Sequence, residues 1–322
     1  MTKAPGKSNR KGLTFLQVAA MFGNEEKSRK WIEELHWPDG PFCPHCGSFN
    51  VQSGIRHPSM THRCRECSKK PMFTVRVGTI LENTRLPYRT WAIGIYLFTT
   101  NLKGVSSMKL HRELGVTQKS AWFMLHRLRA AMEANMPWFN GPVEADETYI
   151  GGKEGNKHAK KKLKAGRGAV GKAAVAGIRD RETGQVVAKV VESTDKETLQ
   201  GFVNEHAVEG ATLYTDEASA YKGIDRPHEV VKHSVGEYVR DQAHTNGLES
   251  FWAPMKRGYN GVYHKMSPKH LQRYVDEFQH RHNNRPKDTI DQMGGVVHGM
   301  AGKNLPYKKL IEDNGLNSGA RS

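Results

Sequence analysis

Residues 143–152 read VEADETYIGG. The first eight alternate in the manner of a β-strand, so successive side chains take opposite faces. Asp146 stands in the middle of this apolar strand, where an unpaired charge is costly to bury. Such a carboxylate needs a partner or a task. Its neighbours Glu144 and Glu147 are expected to point elsewhere or to pair with basic side chains.

Downstream, AVGKAAVAGI (169–178) and GQVVAKVVES (184–193) read as two further strands joined by a short turn at Gly184. STDKETLQGFVNEHA (193–207) reads as a helix with Ser193 or Thr194 as its cap. ATLYTD (211–216) and HEVVKH (228–233) are short strands. Asp216 closes the first of these, where its side chain can point over a sheet edge. HTNGLESFWAPMKRG (244–258) is a helical stretch that carries Asn246, Glu249 and Lys256. Offsets of three and seven put these three on one helix face. Pro254 lies inside the stretch and costs a helix interior roughly 3 kcal/mol or kinks it. SPKHLQRYVDEFQHRHNN (267–284) opens with Ser267 and Pro268, an N-cap and first-turn pair. The domain so outlined runs from 139 to 300 and begins with a three-strand meander. Residues 301–322 read as a polar, loose tail.

Upstream, the chain changes character twice. LTFLQVAAMFGNEEKSRKWIEELH (13–36) has helical spacing with a break near Gly23 and Asn24, and with the basic tail it forms a first segment, 1–36. All four cysteines fall in the next, 37–82, as Cys43-Pro-His-Cys46 and Cys64-Arg-Glu-Cys67 with 17 residues between the pairs. That spacing is a zinc signature: each C-x2-C pair forms a knuckle, and two knuckles complete a tetrahedral thiolate shell. With no open position the Zn2+ is structural. His45 and His62 are bystanders, and FTVRVGTI (73–80) reads as a strand after the second knuckle.

Residues 83–138 form a helical module. In GVSSMKLHRELGVTQKSAWFMLHRLRA (104–130), two amphipathic helices flank Leu114-Gly115-Val116-Thr117. A Gly turn, a buried Val and a capping Thr are the sequence form of a helix-turn-helix. Its second helix is expected to present Gln118, Lys119, His126, Arg127 and Arg129 to DNA, with Trp122 and Phe123 in the core.

Composition sets the outer bounds. The 322 residues carry 49 Lys and Arg against 33 Asp and Glu, a net charge of +16. No apolar run approaches the ~18 residues of a membrane span, and no secretory signal opens the chain. The excess charge points to a polyanion, nucleic acid above all. It is clustered: Lys3, Lys7, Arg10 and Lys11 in the tail; a Gly-Lys insertion, 151–168, with Lys160, Lys161 and Lys162; and Lys256, Arg257, Lys265, Lys269 and Arg273.

VEADETYIGGKEGNKH, LYTDEASAY and HTNGLESFWAPMKRGYNGVYHKMSPKHLQRYVDEFQHRHN together resemble the bacterial insertion-sequence transposases of the DDE type. The resemblance is to the ISXO-like group, which carries an N-terminal zinc ribbon, and it extends over about residues 13–285. It implies a multidomain α+β and α/β chain: zinc ribbon, helix-turn-helix-like module, and a ribonuclease H-like, retroviral-integrase-like catalytic domain with a mixed sheet. It implies Asp146, Asp216 and Glu249 as ligands of Mg2+ or Mn2+, with Asn246 the competing third position, and Lys256 on DNA. Glu249 is preferred because a carboxylate suits a hard cation and because Lys256 follows it by seven. The implied activity is two-metal DNA cleavage at the ends of a mobile element and strand transfer into target DNA. The implied partners are those terminal repeats, the target, and further copies of the chain on DNA, in the bacterial cytoplasm at the nucleoid. A decayed, non-cleaving DNA-binding regulator and a ribonuclease H-like nuclease without strand transfer are the alternatives.

Overall fold

The computed structural model describes residues 10–133, 138–152, 170–216, 219–230 and 246–318. Lys3, Lys7, Lys160, Lys161, Lys162, His244 and nearly all of the expected Gly-Lys insertion lie outside the described residues. The chain forms two compact units, Met1–Glu133 with Arg285–Glu312, and Ala134–Asn284 with Asp313–Ser322. Among the described residues, no helix is long and apolar enough to cross a membrane.

The first unit begins with helices α1 (Phe15–Met21) and α2 (Glu25–His36). The break expected near Gly23 is there because Asn24 caps α2, its Oδ1 accepting from Lys27 N at 2.8 Å. A three-stranded antiparallel sheet follows, β1 (Val51–Ser53), β2 (His62–Cys64) and β3 (Met72–Phe73). The strand expected over 73–80 stops at Phe73. Val77 N bonds Thr74 O and Thr79 N bonds Arg76 O, and Gly78 takes a positive φ, so the chain turns instead. Helices α3 (Tyr88–Thr100), α4 (Ser107–Leu114) and α5 (Gln118–Met132) complete the N-terminal part. Gly115 at φ +64° ends α4 in the left-handed region, and Thr117 Oγ1 accepts from Ser120 N at 3.1 Å to start α5. This is the expected helix–turn–helix connection.

Two expectations about boundaries are revised. Helices α9 (Thr289–His298) and α10 (Tyr307–Ile311) belong to the first unit, so the main segment of the second ends at Asn284 rather than 300, with Asp313–Ser322 added to it. Met293, Val297, Leu305 and Leu310 enter one apolar core with Trp31, Phe73 and Phe98. That same core spans the segments expected separately as 1–36, 37–82 and 83–138. A loose tail from 301 does not bury Leu310 completely; apolar burial of about 1.5–3 kcal/mol per such side chain holds the segment down.

The second unit is built on β4 (Val143–Ile150), β5 (Ala173–Asp180), β6 (Val186–Val191), β7 (Leu213–Thr215) and β8 (His228–Val230), in the order β6-β5-β4-β7-β8. β4 pairs antiparallel with β5 and β5 with β6; β4 and β7, and β7 and β8, are parallel. This is a mixed sheet with the VEADETYI strand at its centre, and the chain is a multidomain α+β protein. One face packs on α6 (Lys196–His206) through Val143, Ala145, Leu199 and Val203. The other packs on α7 (Asn246–Gly258) and α8 (Leu271–Asn284) through Ile150, Val175, Phe251, Trp252 and Val275. The cap of α6 is Asp195, not Ser193 or Thr194: its Oδ1 accepts from Thr198 N at 2.8 Å. Ser193 instead bonds the Asp195 carboxylate. Edge strand β6 is covered by side chains of α8. Gln272, Gln279 and Asn283 accept from Val190 N, Ala188 N and Val186 N at 2.7–2.9 Å. They satisfy the donors that an open sheet edge would expose.

Candidate active site and metal centre

The register of the sheet brings the acids together. Along the parallel pair, Val143 lies opposite Leu213 and Glu144 opposite Tyr214. Two residues further on, Asp146 and Asp216 reach the same level on chains about 4.8 Å apart. The carboxyl ends of neighbouring parallel strands are where open α/β sheets place their ligands.

Glu249 is in the first turn of α7, exposed. The helix runs unbroken through Pro254 to Gly258, so Lys256 lies two turns beyond Glu249 on the same exposed side, with Arg257 next to it. A π-helical turn, Tyr259–Tyr263, follows. Tyr263 packs rather than faces solvent: its OH donates to Glu277 Oε1 at 2.8 Å and its ring meets Tyr274 edge-on.

Asp146 responds to its burial and to the other two acids. Burial pushes the Asp146 carboxyl up to about 6, and the charges of Asp216 and Glu249 add to the rise, against the Trp252 N–H, which opposes it. Glu147, missed as a member of this cluster, is pushed up to about 7 by burial and by Asp216 and Asp146. It takes the opposite face of β4, as alternation requires, and there accepts from Tyr221 OH at 3.4 Å. Glu144 is completely buried and pairs with Arg179 Nη1 at 3.0 Å and Arg181 Nε at 3.1 Å, as its environment demands.

Trp252 is a core residue, 3% exposed, and its Nε1 also donates to Asp146 Oδ2 at 2.9 Å. Nothing in the local sequence ties residue 252 to residue 146; the contact exists only once α7 lies on the sheet.

The donor set of Asp146, Asp216 and Glu249 is hard oxygen, which suits Mg2+ or Mn2+. A cation there would offset the burial and the neighbouring negative charge that raise Asp146. Among the described residues, though, only the four cysteines bring three or more ligand atoms within 4.8 Å of one another. Cys43 Sγ lies 3.6 Å from Cys67 Sγ and Cys46 Sγ 3.7 Å from Cys64 Sγ. A zinc tetrathiolate with Zn–S bonds of about 2.3 Å has tetrahedral edges of about 3.8 Å, so these thiols fit structural Zn2+. Their crowding pushes the Cys67 thiol up to about 12 through its contacts with the Cys46 and Cys43 sulfurs; zinc reverses this, because it binds thiolates. His62 is a bystander. It stacks on Phe73, meets Trp37 edge-on, and burial pushes it down to about 4.

The helical module departs from expectation at its basic residues. Gln118 and Lys119 are exposed, Lys119 Nζ lying 4.5 Å from the Tyr307 ring centre. His126, Arg127 and Arg129 are buried, at 0%, 3% and 1% exposure. Arg127 Nε donates to Leu305 O at 3.2 Å and its guanidinium lies over Phe123. The Arg129 guanidinium faces the Phe98 ring. These two arginines are therefore structural: the C-terminal segment covers Arg127, and Arg129 is buried with its guanidinium toward Phe98 of α3. Trp122 and Phe123 are half-buried rather than fully in the core, Phe123 meeting Tyr307 edge-on.

Comparison with known proteins gives two family matches. Residues 139–283 match the ISXO2-like transposase domain, and residues 23–70 match the transposase zinc-ribbon domain. The latter begins at α2, whose end carries Trp37 against His62 and Phe73 of the ribbon sheet. An uncharacterized protein in transposable element ISH50 of Halobacterium salinarum is 27% identical over 276 residues, covering 81% of this chain and 91% of that protein. A chain in a cryo-EM structure of the simian T-cell lymphotropic virus intasome with PP2A regulatory subunit B56 gamma is 14% identical. That match covers 56% of this chain and 62% of the other, less than two thirds, with a TM-score of 0.26, and carries no weight.

Proposed function

We propose that this chain, whose residues 139–283 match the ISXO2-like transposase domain and residues 23–70 the transposase zinc-ribbon domain, is a transposase that cuts DNA at the ends of a mobile element and joins the freed 3′ ends to target DNA. The observation that carries this is the parallel β4–β7 register, which levels Asp146 with Asp216 beside the helix bearing Glu249.

In this reading Asp146, Asp216 and Glu249 would hold the divalent cations. Bound Mg2+ or Mn2+ supplies charge stabilisation to the attacking and leaving oxygens of an in-line displacement. Trp252 orients the Asp146 carboxylate. Lys256 and Arg257, on the exposed side of α7, take DNA phosphates and hold the scissile bond against the acids. The exposed N-terminal turn of α5, with Gln118 and Lys119, is the part of the helical module left to reach DNA. It fits the rule that recognition helices read with their N-terminal residues. Lys160, Lys161 and Lys162 add phosphate contacts, and pairing of two element ends calls for a second copy of the chain.

The test is incubation of the zinc-loaded chain with Mg2+ or Mn2+ and DNA bearing the element's own ends. Cut and joined products are expected. Cleavage without joining would assign a nuclease. Binding without cleavage across metals would sink the enzymatic reading and leave a DNA-binding regulator.

A further inference from the structure

Two side-chain contacts tie α7 to β4, and their spacings match. Glu144 Oε2 accepts from Leu248 N at 3.2 Å, and Trp252 Nε1 donates to Asp146 Oδ2 at 2.9 Å. Residues two apart on a strand are about 6.6 Å apart. Residues four apart on a helix rise about 6 Å. The pairs 144–248 and 146–252 therefore lie side by side without strain, with Glu249 between the two tie points.

Each tie is braced. Glu144 is held by Arg179 and Arg181 and presents its charge to an N-terminal N–H of α7, the favourable end of the helix dipole. The other oxygen of Asp146, Oδ1, accepts from Glu147 N at 2.9 Å, so both of its oxygens are oriented. Two glycines leave the space. Gly177 lies opposite Asp146 on β5, where a Cβ would stand 2.6 Å from the Trp252 ring. A Cβ on Gly247 would meet the Arg179 guanidinium and stand 2.5 Å from Glu144 Oε2. Real Cβ atoms do not come this close, so the indole needs glycine at 177, and a side chain at 247 would push the Arg179 and Glu144 ends aside.

We propose that Glu144 and Trp252 are positioning residues that fix the register of α7 on β4 and thereby the place of Glu249 beside Asp146. The proposal rests on the reading of Asp146, Asp216 and Glu249 as a cation site. It also separates the two candidates for the third position. At about 100° per residue, Glu249 lies about 80° from the mean direction of residues 248 and 252, and Asn246 about 140°. Glu249 therefore sits beside the strand and Asn246 turns away from it.

The experiment is Mn2+ binding to the full-length, zinc-loaded chain, followed by electron paramagnetic resonance at neutral pH, with fold checked by circular dichroism and thermal melting. Trp252→Phe keeps an aromatic ring at this position but removes the N–H together with the pyrrole part of the indole; Mn2+ affinity is expected to fall about tenfold, the usual effect of losing a hydrogen bond that orients a metal ligand. Glu144→Gln is expected to act in the same direction. If W252F loses its fold, Gly177→Ala displaces the indole from the opposite strand and is expected to weaken Mn2+ equally. Unchanged Mn2+ affinity in any of these folded variants overturns the proposal. Failure of the unmodified chain to bind Mn2+ overturns the cation-site reading itself, a distinguishable result.

Discussion

Arg127 Nε donates to the backbone oxygen of Leu305 at 3.2 Å across 178 residues of chain. The contact turns an arginine expected on DNA into a support for the C-terminal segment. Replacing Arg127 by Ala is expected to destabilise the first unit by about 1–3 kcal/mol, through a lost charged hydrogen bond and lost packing on Phe123. Urea denaturation measures it.

The same distinction appears in DNA binding. Lys256→Ala and Arg257→Ala are expected each to lower the slope of log affinity against log salt by about 1, as for a lost phosphate contact. Folded Arg127→Ala is expected to leave that slope unchanged. Filter binding or anisotropy over a salt series checks both.

Asp146→Asn, Asp216→Asn and Glu249→Gln are each expected to lower cleavage at least about 10²-fold, the scale of losing one group that stabilises the transition state. DNA binding is expected to be retained. Asn246→Ala is expected to cost less than about tenfold on the same scale. A larger loss at Asn246 than at Glu249, in a cleavage assay on element ends, would exchange the two assignments.

The raised carboxyl of Asp146 gives a pH dependence with a fixed sign. Its folded value is about 6 against an ordinary 3.8, so the folded chain binds more protons between these values. Stability from this group is therefore greatest below about pH 4 and declines as pH rises through 6, and Glu147, at about 7, extends the decline. Asp146→Asn does not titrate. Without divalent metal, it is expected to melt near the unmodified chain at pH 4 and above it at pH 7, by about 3 kcal/mol at most. Added Mg2+ is expected to reduce that gap, because it compensates the buried charge only where the carboxylate is present. Thermal melts at both pH values test this.

Zinc removal is expected to disrupt the ribbon sheet and expose Phe73 and Trp37, which share the core of the first unit. Zinc content, limited proteolysis and tryptophan emission after chelation measure it. Cys46→Ser is expected to lower zinc content without altering the second unit's secondary structure.

Much of the fold was legible because its signals are local. The alternation of 143–150, the C-x2-C pairs, the Gly115–Thr117 turn and the cap at Asn24 each depend on residues adjacent in sequence. The strand over 73–80 was misread for a local reason: its apolar residues fit a strand, but Gly78 turns the backbone. Arg127 was misread for a distant one. A basic residue on an amphipathic helix reads as exposed unless the covering segment is known, and that segment lies some 180 residues away.

The sequence by itself determined which residues are candidates for chemistry: four thiols spaced for zinc, and acids on a strand, at a strand end and on a helix. Residue type and short spacing suffice for that, since they fix which donor atoms the chain can offer. Only the tertiary structure decided how these groups are oriented. It levelled Asp146 with Asp216 through a parallel register, set Trp252 on Asp146 and Glu144 on Leu248, and enclosed Arg127 and Arg129. Hydrogen bonds reach about 3 Å, and contacts between distant residues exist only after packing has brought the elements together.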